Sequence, residues 1–466
     1  MRFCAITLGC KVNQYETQAI VNILTSRGHT QTKPGGRCDV CIINTCAVTG
    51  ESGRKSRQAV RRMKKTEPGA LIAVCGCFSQ LEPSEAASLG ADLVGGSGDR
   101  ERFALDIETA FENVERGMRN AGSSNADVTG GFCGNREAGG AGAAGTGAIQ
   151  GVRTPGAFEE LPPGGSAGRT RALLKIQDGC DNYCAYCVIP YARGSARSLP
   201  VARAGDFARR LDEQGYREIV ITGIEISSYG KDLTDRPALT DVIREISGAA
   251  PNTRLRLGSL DPSTVTEVFC REIGDIPNFC GHFHLSLQSG CDETLSRMGR
   301  KYDAGVAKEA ISLLRRRFPD CGLTADIITG FPGETDEEFA QTLGFIRSAS
   351  FSDMHIFPFS PRPGTRAALM SGQIKKTVRH ERARAAAAAA EESALGFRLG
   401  LIGKTVEVLF EREYGGYWCG HAGNYVEVNV KNGGAKNTVE PVLVTDVKDG
   451  AVWGAILFGE GRAPEV

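Results

Sequence analysis

The chain has 466 residues, enough for two to four domains, with 41% hydrophobic and 24% charged residues, as in ordinary soluble proteins. Lys+Arg and Asp+Glu both total 55, so net charge singles out no partner class, although a local basic face would suffice for nucleic acid. No run of about 18 apolar residues occurs, which excludes a helical membrane span. The start, MRFCAITLGC, reads as a first strand rather than a signal peptide, which points to a cytoplasmic protein. There the 16 cysteines suit metal or cluster binding better than disulfides.

Residues 1–118 alternate short apolar runs with helical patterns. Strands are expected at 3–8, 40–44 and 71–74, and helices at 16–27, 53–65 and 83–89. Such alternation predicts an open parallel sheet with helices on its faces. Residues 119–168 are Gly/Ala-rich and then Pro-rich, without periodicity, and read as a flexible linker or insert; Cys133 inside it is assigned no function. Residues 169–398 alternate again, with strands expected at 172–177, 218–222, 254–257, 282–287, 324–328 and 353–358. Helical patterns at 201–214, 264–273 and 304–317 separate them, and the alanine-rich stretch 379–392 predicts a closing helix. Six βα units predict a partial (β/α)6 barrel with its chemistry at the carboxyl ends of the strands. Residues 399–461 predict a small β-barrel, with strands at 405–410, 425–430, 441–447 and 451–457.

The densest chemical signal follows the first strand of the third segment: Gly179-Cys180-Asp181-Asn182-Tyr183-Cys184-Ala185-Tyr186-Cys187. Its C-x3-C-x2-C spacing supplies three thiolates where four would close a site, which suits a cubane iron–sulfur cluster with one open iron. A zinc knuckle or plain buried thiols are the alternatives, but no second C-x2-C or His lies close downstream. The spacing resembles the radical S-adenosylmethionine (SAM) superfamily, in which the open iron binds the amino and carboxylate groups of SAM. Tyr186 falls between the last two cysteines. The resemblance implies packing near the cofactor's adenine; simple shielding of the cluster is the other reading.

The second strand ends in Thr222-Gly223-Ile224-Glu225. A glycine permits close approach, and a carboxylate accepts charge-assisted hydrogen bonds from an ammonium group. The run resembles the Gly-Gly-Glu motif that holds the SAM amino group, with Thr222 in place of the first glycine. Polar residues also emerge after the third and fourth strands, at Ser259 and at Ser286 and Gln288, as a barrel-top cofactor site needs; turn-making is the alternative for each.

Cys10, Cys46 and Cys77 each follow an expected strand of the first segment, where open α/β folds bind ligands. They are candidates for a second three-thiolate cluster. The alternative is burial as small hydrophobes, which better suits Cys4, Cys38, Cys41 and Cys75; the C-x2-C of Cys38 and Cys41 is a weak zinc signal. Beyond Cys46, Arg54, Arg57, Arg61 and Lys65 recur at helical spacing, as a phosphate-binding stripe or a solvated face.

Together these residues resemble the methylthiotransferase family, which joins an N-terminal cluster domain, a radical SAM barrel and a C-terminal TRAM β-barrel. The likeness spans all but the Gly-rich segment. Leu8-Gly9-Cys10-Lys11-Val12-Asn13-Gln14-Tyr15-Glu16, Asn44-Thr45-Cys46-Ala47-Val48-Thr49 and His355-Ile356-Phe357-Pro358-Phe359-Ser360-Pro361 are similar to the MtaB-like branch, which modifies N6-threonylcarbamoyladenosine in tRNA. Cys75 and Phe78 depart from the residues common there and leave Cys75 as a rival to Cys77. The resemblance implies two [4Fe-4S] clusters and SAM. The Cys180/Cys184/Cys187 cluster would cleave SAM to a 5′-deoxyadenosyl radical that attacks adenosine C2. The Cys10/Cys46/Cys77 cluster would present sulfur, and a second SAM the methyl group. Implied partners are the tRNA anticodon stem-loop, an electron donor and a sulfur source, with no membrane. Tyr417 and Tyr425 are candidates either for stacking on RNA or for barrel core. The same chemistry on isopentenyladenosine or on a ribosomal protein aspartate, and a non-catalytic iron–sulfur RNA-binding protein, are the competing functions.

Overall fold

The alternating pattern of the first segment folds into an all-parallel six-stranded sheet of order β2-β1-β3-β4-β5-β6. A computed structural model describes residues 1–122, 148–149, 156–163 and 170–457, in two units: Met1–Leu161 with Tyr191–Gly194, and Pro162–Pro190 with Ser195–Val466. In the first unit the strands are β1 (Arg2–Thr7), β2 (Thr30–Thr32), β3 (Val40–Thr45), β4 (Leu71–Gly76), β5 (Leu93–Val94) and β6 (Ala148–Ile149). The Val/Ile run of β3 is buried throughout, as a central parallel strand covered on both faces requires. Phe3, Ile20, Leu24, Val40, Ile42, Leu93, Phe103 and Ile107 share one core. Strand order reverses between β1 and β3, so their carboxyl ends flank the sheet's switch point.

The helices of this unit are α1 (Lys11–Ser26), α2 (Gly50–Thr66), α3 (Cys77–Leu81), α4 (Pro83–Ser88) and α5 (Arg100–Gly122). Helix α1 begins directly after Cys10, five residues before the expected start at 16, because polar Asn13 and Glu16 on its first turns are buried rather than solvated. Thr49 and Ser52 cap α2 reciprocally. Three short strands escaped the sequence reading, since two or three residues carry no periodicity. One of them, β6, lies in the segment read as a linker and pairs in parallel with β5. The rest of the Gly/Ala-rich run, with Cys133, lies outside the described residues.

In the second unit the six expected strands are all present and parallel: β7 (Arg171–Lys175), then, after the ribbon of β8 (Gln177–Asp178) and β9 (Arg197–Ser198), β10 (Glu218–Thr222), β11 (Arg254–Leu257) continued by β12 (Ser259–Leu260), β13 (His282–Gln288), β14 (Gly322–Thr329) and β15 (Asp353–Pro358). They run as β7-β10-β11 and β12-β13-β14-β15, joined through Gly258, whose N–H donates to the Ile221 carbonyl at 2.7 Å. β7 and β15 do not pair, so the barrel is partial, as expected. The closing helix, Lys376–Leu399, packs on β15 and buries Ala386, Ala389, Ala390 and Ala394.

A closed barrel follows: β16 (Thr405–Tyr414), β17 (Tyr417–Ala422), β18 (Glu427–Val430), β19 (Val439–Lys448) and β20 (Ala451–Ile456), in the order β16-β17-β18-β20-β19. β17 was missed because Gly415 and Gly416 before it and His421 within it blur the alternation. Tyr425, expected at a strand start, instead occupies a turn with φ +70°. No helix among the described residues is long and apolar enough to cross a membrane.

Candidate active site

The cysteine loop leaves the end of β7, as expected. Cys180, Cys184 and Cys187 are each partly exposed. The Cys187 N–H donates to the Cys184 carbonyl at 3.0 Å, and the Ile189 N–H donates to Cys187 Sγ at 3.4 Å. The Ala185 N–H donates to the Met298 carbonyl at 2.8 Å, which ties the loop to the end of the helix Asp292–Met298 that follows β13. Burial pushes the Cys180 thiol up to about 11 and the Cys187 thiol up to about 12, so a metal must displace these protons on binding.

The strand ends supply the surrounding groups. Gln177 Oε1 accepts from the Ile224 and Glu225 N–H groups at 3.0 and 2.8 Å and fixes the turn after β10. A Cβ on Gly223 would stand 2.9 Å from Ile226 and 3.0 Å from Gln177, so the backbone passes where a side chain has no room. Thr222 is buried, and Glu225 is half-buried with its carboxylate accepting from the Ser227 N–H at 3.2 Å. Burial and the nearby Asp261 raise the Glu225 carboxyl, and Arg300 opposes them. Ser286 and Gln288 are half-buried at the end of β13, whereas Ser259 is exposed. Tyr186 packs edge-on against Phe331, with ring centroids 6.5 Å apart, in a pocket with Ala185, Met298 and Phe359.

Arg300 and Asp261 were not selected from the sequence, yet they join these parts. Arg300 donates to Cys184 Sγ at 3.3 Å, to Asp261 Oδ2 at 2.8 Å and to the Ser286 carbonyl at 3.2 Å. An arginine after a helix-ending glycine carries no sequence signal of such contacts. Deeper along the strands, Asp326 Oδ1 lies 3.0 Å from His355 Nδ1 and Asp326 Oδ2 lies 3.3 Å from His284 Nε2. Burial disfavours that carboxylate, but the two imidazoles outweigh it and hold Asp326 below the usual carboxylate range. Among the described residues, Arg300, Asp261 and Glu225 stand around the cysteine loop rather than a fourth soft ligand. That donor set fits a cluster with one open iron.

In the first unit, Cys10 caps α1 after β1, Cys46 follows β3, and Cys77 opens α3 after β4. Three turns bring them together. A Cβ on Gly9 (φ +96°) would lie 2.7 Å from Cys46 Sγ, and one on Gly76 (φ +104°) would collide with Asn44 and the Thr45 carbonyl. The Cys46 N–H donates to Ser56 Oγ at 3.1 Å, and Ser56 returns a bond to the Cys46 carbonyl at 2.9 Å. Burial raises the Cys46 and Cys77 thiols. Cys75 is instead fully buried as a member of the apolar core that holds Ala73, Ile42 and Leu93. Three thiols converging at a switch point, without a fourth among the described residues, again fit a cluster with an open iron.

The basic stripe on α2 is partly spent. Arg54 pairs with Glu51, and Arg57 pairs with Glu85 at 2.8 Å while covering the Phe78 ring. Arg61, Arg62 and Lys65 remain exposed. In the C-terminal barrel, Tyr425 is neither barrel core nor an open stacking surface. Its ring lies between His282 and His421, with centroids at 4.7 and 4.9 Å, and the Arg171 and Arg256 guanidinia lie over it. Tyr417 packs edge-on against Tyr414 and Trp453.

Residues 174–346 match the Radical SAM superfamily, and residues 2–96 match the uncharacterized protein family UPF0004. The chain is 34% identical to the threonylcarbamoyladenosine tRNA methylthiotransferase MtaB of Bacillus subtilis, over 91% of this chain and 89% of that protein. It is 33% identical to the protein of the same name from Chlamydia pneumoniae, over 98% of each chain. It is 31% identical to the tRNA-2-methylthio-N(6)-dimethylallyladenosine synthase of Geobacillus kaustophilus, over 88% of this chain and 73% of that one. Among solved structures, the radical SAM methyltransferase TsrM of Kitasatospora setae superposes with TM-score 0.51 at 16% identity, over 77% of this chain and 74% of that chain, a likeness of fold. With its cysteine loop at the head of a partial barrel and relatives of this similarity along nearly its full length, the chain belongs to the methylthiotransferase family of radical SAM enzymes.

Proposed function

We propose that the chain converts N6-threonylcarbamoyladenosine at position 37 of tRNA, beside the anticodon, to its 2-methylthio derivative. The observation that carries this reading is the presence of two separate three-cysteine sets, each at the carboxyl ends of parallel strands. One open cluster suffices to cleave SAM, and a second open iron gives an inserted sulfur a place to be held. The choice of nucleoside is supported by five relatives at 30–34% identity that carry the threonylcarbamoyladenosine name.

In this reading Cys180, Cys184 and Cys187 hold the SAM-binding [4Fe-4S] cluster, and Cys10, Cys46 and Cys77 hold the other. Bound there, the clusters and SAM supply the radical, the sulfur and the methyl group. Glu225 orients the SAM amino group, and the turn at Thr222-Gly223 admits it closely. Arg300, beside Cys184, offers a cation for the SAM carboxylate, while Tyr186, Ser259, Ser286 and Gln288 line the remaining cofactor surface. Residues 1–118, 169–398 and 399–461 act as the cluster, radical SAM and TRAM-like RNA-binding domains, joined by 119–168. An electron donor and a sulfur source act as further partners in the cytoplasm, where the tRNA is modified.

The test is a reaction of the anaerobically reconstituted full chain with SAM, a reductant and two tRNAs, one bearing threonylcarbamoyladenosine and one isopentenyladenosine. Mass analysis of the nucleosides is expected to find the methylthio group on the first alone. Product only on the second would transfer the same chemistry to that substrate. Absence of 5′-deoxyadenosine would favour an iron–sulfur RNA-binding protein instead.

A further inference from the structure

Arg193 closes the five-residue helix α6 (Ile189–Arg193), which follows Cys187 in sequence, yet Tyr191–Gly194 fold with the N-terminal unit. Its side chain is fully buried. The guanidinium donates to both oxygens of Glu16, at 2.7 and 3.1 Å, and to Asn13 Oδ1 at 2.7 Å. Both partners stand on α1, the helix that Cys10 caps. The Asn13 amide in turn donates to the Leu8 carbonyl at 2.8 Å and the Thr45 carbonyl at 3.0 Å. Those carbonyls directly precede Gly9-Cys10 and Cys46. The clamp on Arg193 is therefore built from the loops that carry two of the three cysteines. The Ser97 hydroxyl donates to the carbonyl of Ala192 and seats the segment from the other side.

A fully buried arginine carries a desolvation penalty of several kcal/mol unless its charge is met. Glu16 is shared: it also takes the fully buried Arg100, at 2.8 Å. Glu159, at the start of α5, accepts from the backbone N–H groups of Arg100 and Glu101. Among the described residues, the two buried guanidinia thus meet at Glu16, with Glu159 also acting on Arg100. Arg193 lies near enough to Cys10, Cys46 and Cys77 for its charge to favour the thiolate at each, Cys77 included. Hydrogen bonds to sulfur, net charge and burial are what set iron–sulfur potentials, because a fixed cation favours the more negative, reduced form.

We propose that Arg193 is a positioning residue of the Cys10/Cys46/Cys77 centre: held by Glu16 and Asn13, its guanidinium bonds to the Cys77 sulfur and raises the reduction potential of the cluster those cysteines bind. The proposal rests on the two-cluster reading above. The full chain carrying Cys180→Ala, Cys184→Ala and Cys187→Ala, reconstituted anaerobically with iron and sulfide, isolates this centre. About four irons per chain support the two-cluster reading, and none overturns it together with the proposal. On the loaded chain, redox titration followed by electron paramagnetic resonance compares Arg193→Met, Arg193→Lys and Glu16→Gln. Arg193→Met is expected to disfavour reduction by about tenfold, which for a one-electron couple is about 59 mV. Arg193→Lys stays near the parent, and Glu16→Gln, which removes negative charge, shifts the potential the opposite way. A fully loaded Arg193→Met chain with the parental potential overturns the proposal and leaves the cluster reading intact. So does a Glu16→Gln chain whose potential fails to rise. If Arg193→Met cannot hold the cluster while Arg193→Lys loads at the parental potential, the need for a cation is met and the proposal stands. If neither holds it, the Glu16→Gln titration decides alone.

Discussion

The Arg256 guanidinium lies 4.8 Å from the ring centroid of Tyr425, and so fastens the C-terminal β-barrel to strand β11. Arg256 also donates to the carbonyls of Ala422 at 3.2 Å and Gly423 at 2.9 Å, so the whole turn that carries Tyr425 is gripped from below. The ring fills a stack of imidazoles and guanidinia, and its role is docking rather than RNA contact.

Tyr425→Ala should therefore weaken the attachment of the small barrel by about 1–2 kcal/mol, the range for a partly desolvated cation–π contact. Both tryptophans of the chain, Trp418 and Trp453, lie in this barrel, so their fluorescence during urea denaturation reports on it directly. An unchanged midpoint would show that the stack contributes nothing.

Glu218, buried at the start of β10, takes Arg254 at 2.6 Å and Arg256 at 2.8 Å. Burial alone would raise its carboxyl, but Arg256, Arg254 and Arg171 outweigh that and hold it far below the usual range. A carboxyl depressed in the folded state stabilises above its unfolded pKa of about 4.3, and that stability is lost as pH falls below it. The tryptophan-reported transition should accordingly weaken below about pH 4.3. Glu218→Gln should remove much of this acid sensitivity at a cost of about 3–5 kcal/mol near neutrality, since it leaves buried arginines without their anion.

Arg300→Ala removes a charge-assisted bond to Cys184 Sγ and the pairing with Asp261. Each such bond contributes about 1.5–3 kcal/mol, so 5′-deoxyadenosine formation should fall about 10- to 100-fold with the iron content preserved. Liquid chromatography of the nucleoside product checks this, and an unaltered rate would exclude Arg300 from the SAM site.

Gly9→Ala forces a Cβ to within 2.7 Å of Cys46 Sγ at a backbone angle that side chains rarely adopt. The reconstituted chain should drop from about eight irons to about four. Cys75→Ala should keep all of them, because Cys75 belongs to the core rather than to the trio. Iron analysis of Cys75→Ala beside Cys77→Ala, which should fall to about four irons, distinguishes the two as ligands.

Much was legible from sequence because it is local. The C-x3-C-x2-C loop, the six strand–helix repeats and the glycine before Glu225 each depend on residues a few positions apart, and apolar periodicity reports them directly. Short strands such as Leu93–Val94 and Ala148–Ile149 were not legible, since their pairing depends on a sheet assembled elsewhere.

By itself the sequence determined the cysteines, the six strand–helix repeats, and the family likeness those motifs carry, since spacing and patterning are properties of the linear chain. Tertiary structure alone decided that Cys75 lies in the apolar core, that Arg300 touches Cys184, that Tyr425 docks a barrel, and that Arg193 sits buried against Glu16. Arg193 and Glu16 are 177 residues apart, and Arg300 and Cys184 are 116 apart. Contacts over such separations are set by how packed layers exclude water and balance buried charge, which no local pattern encodes.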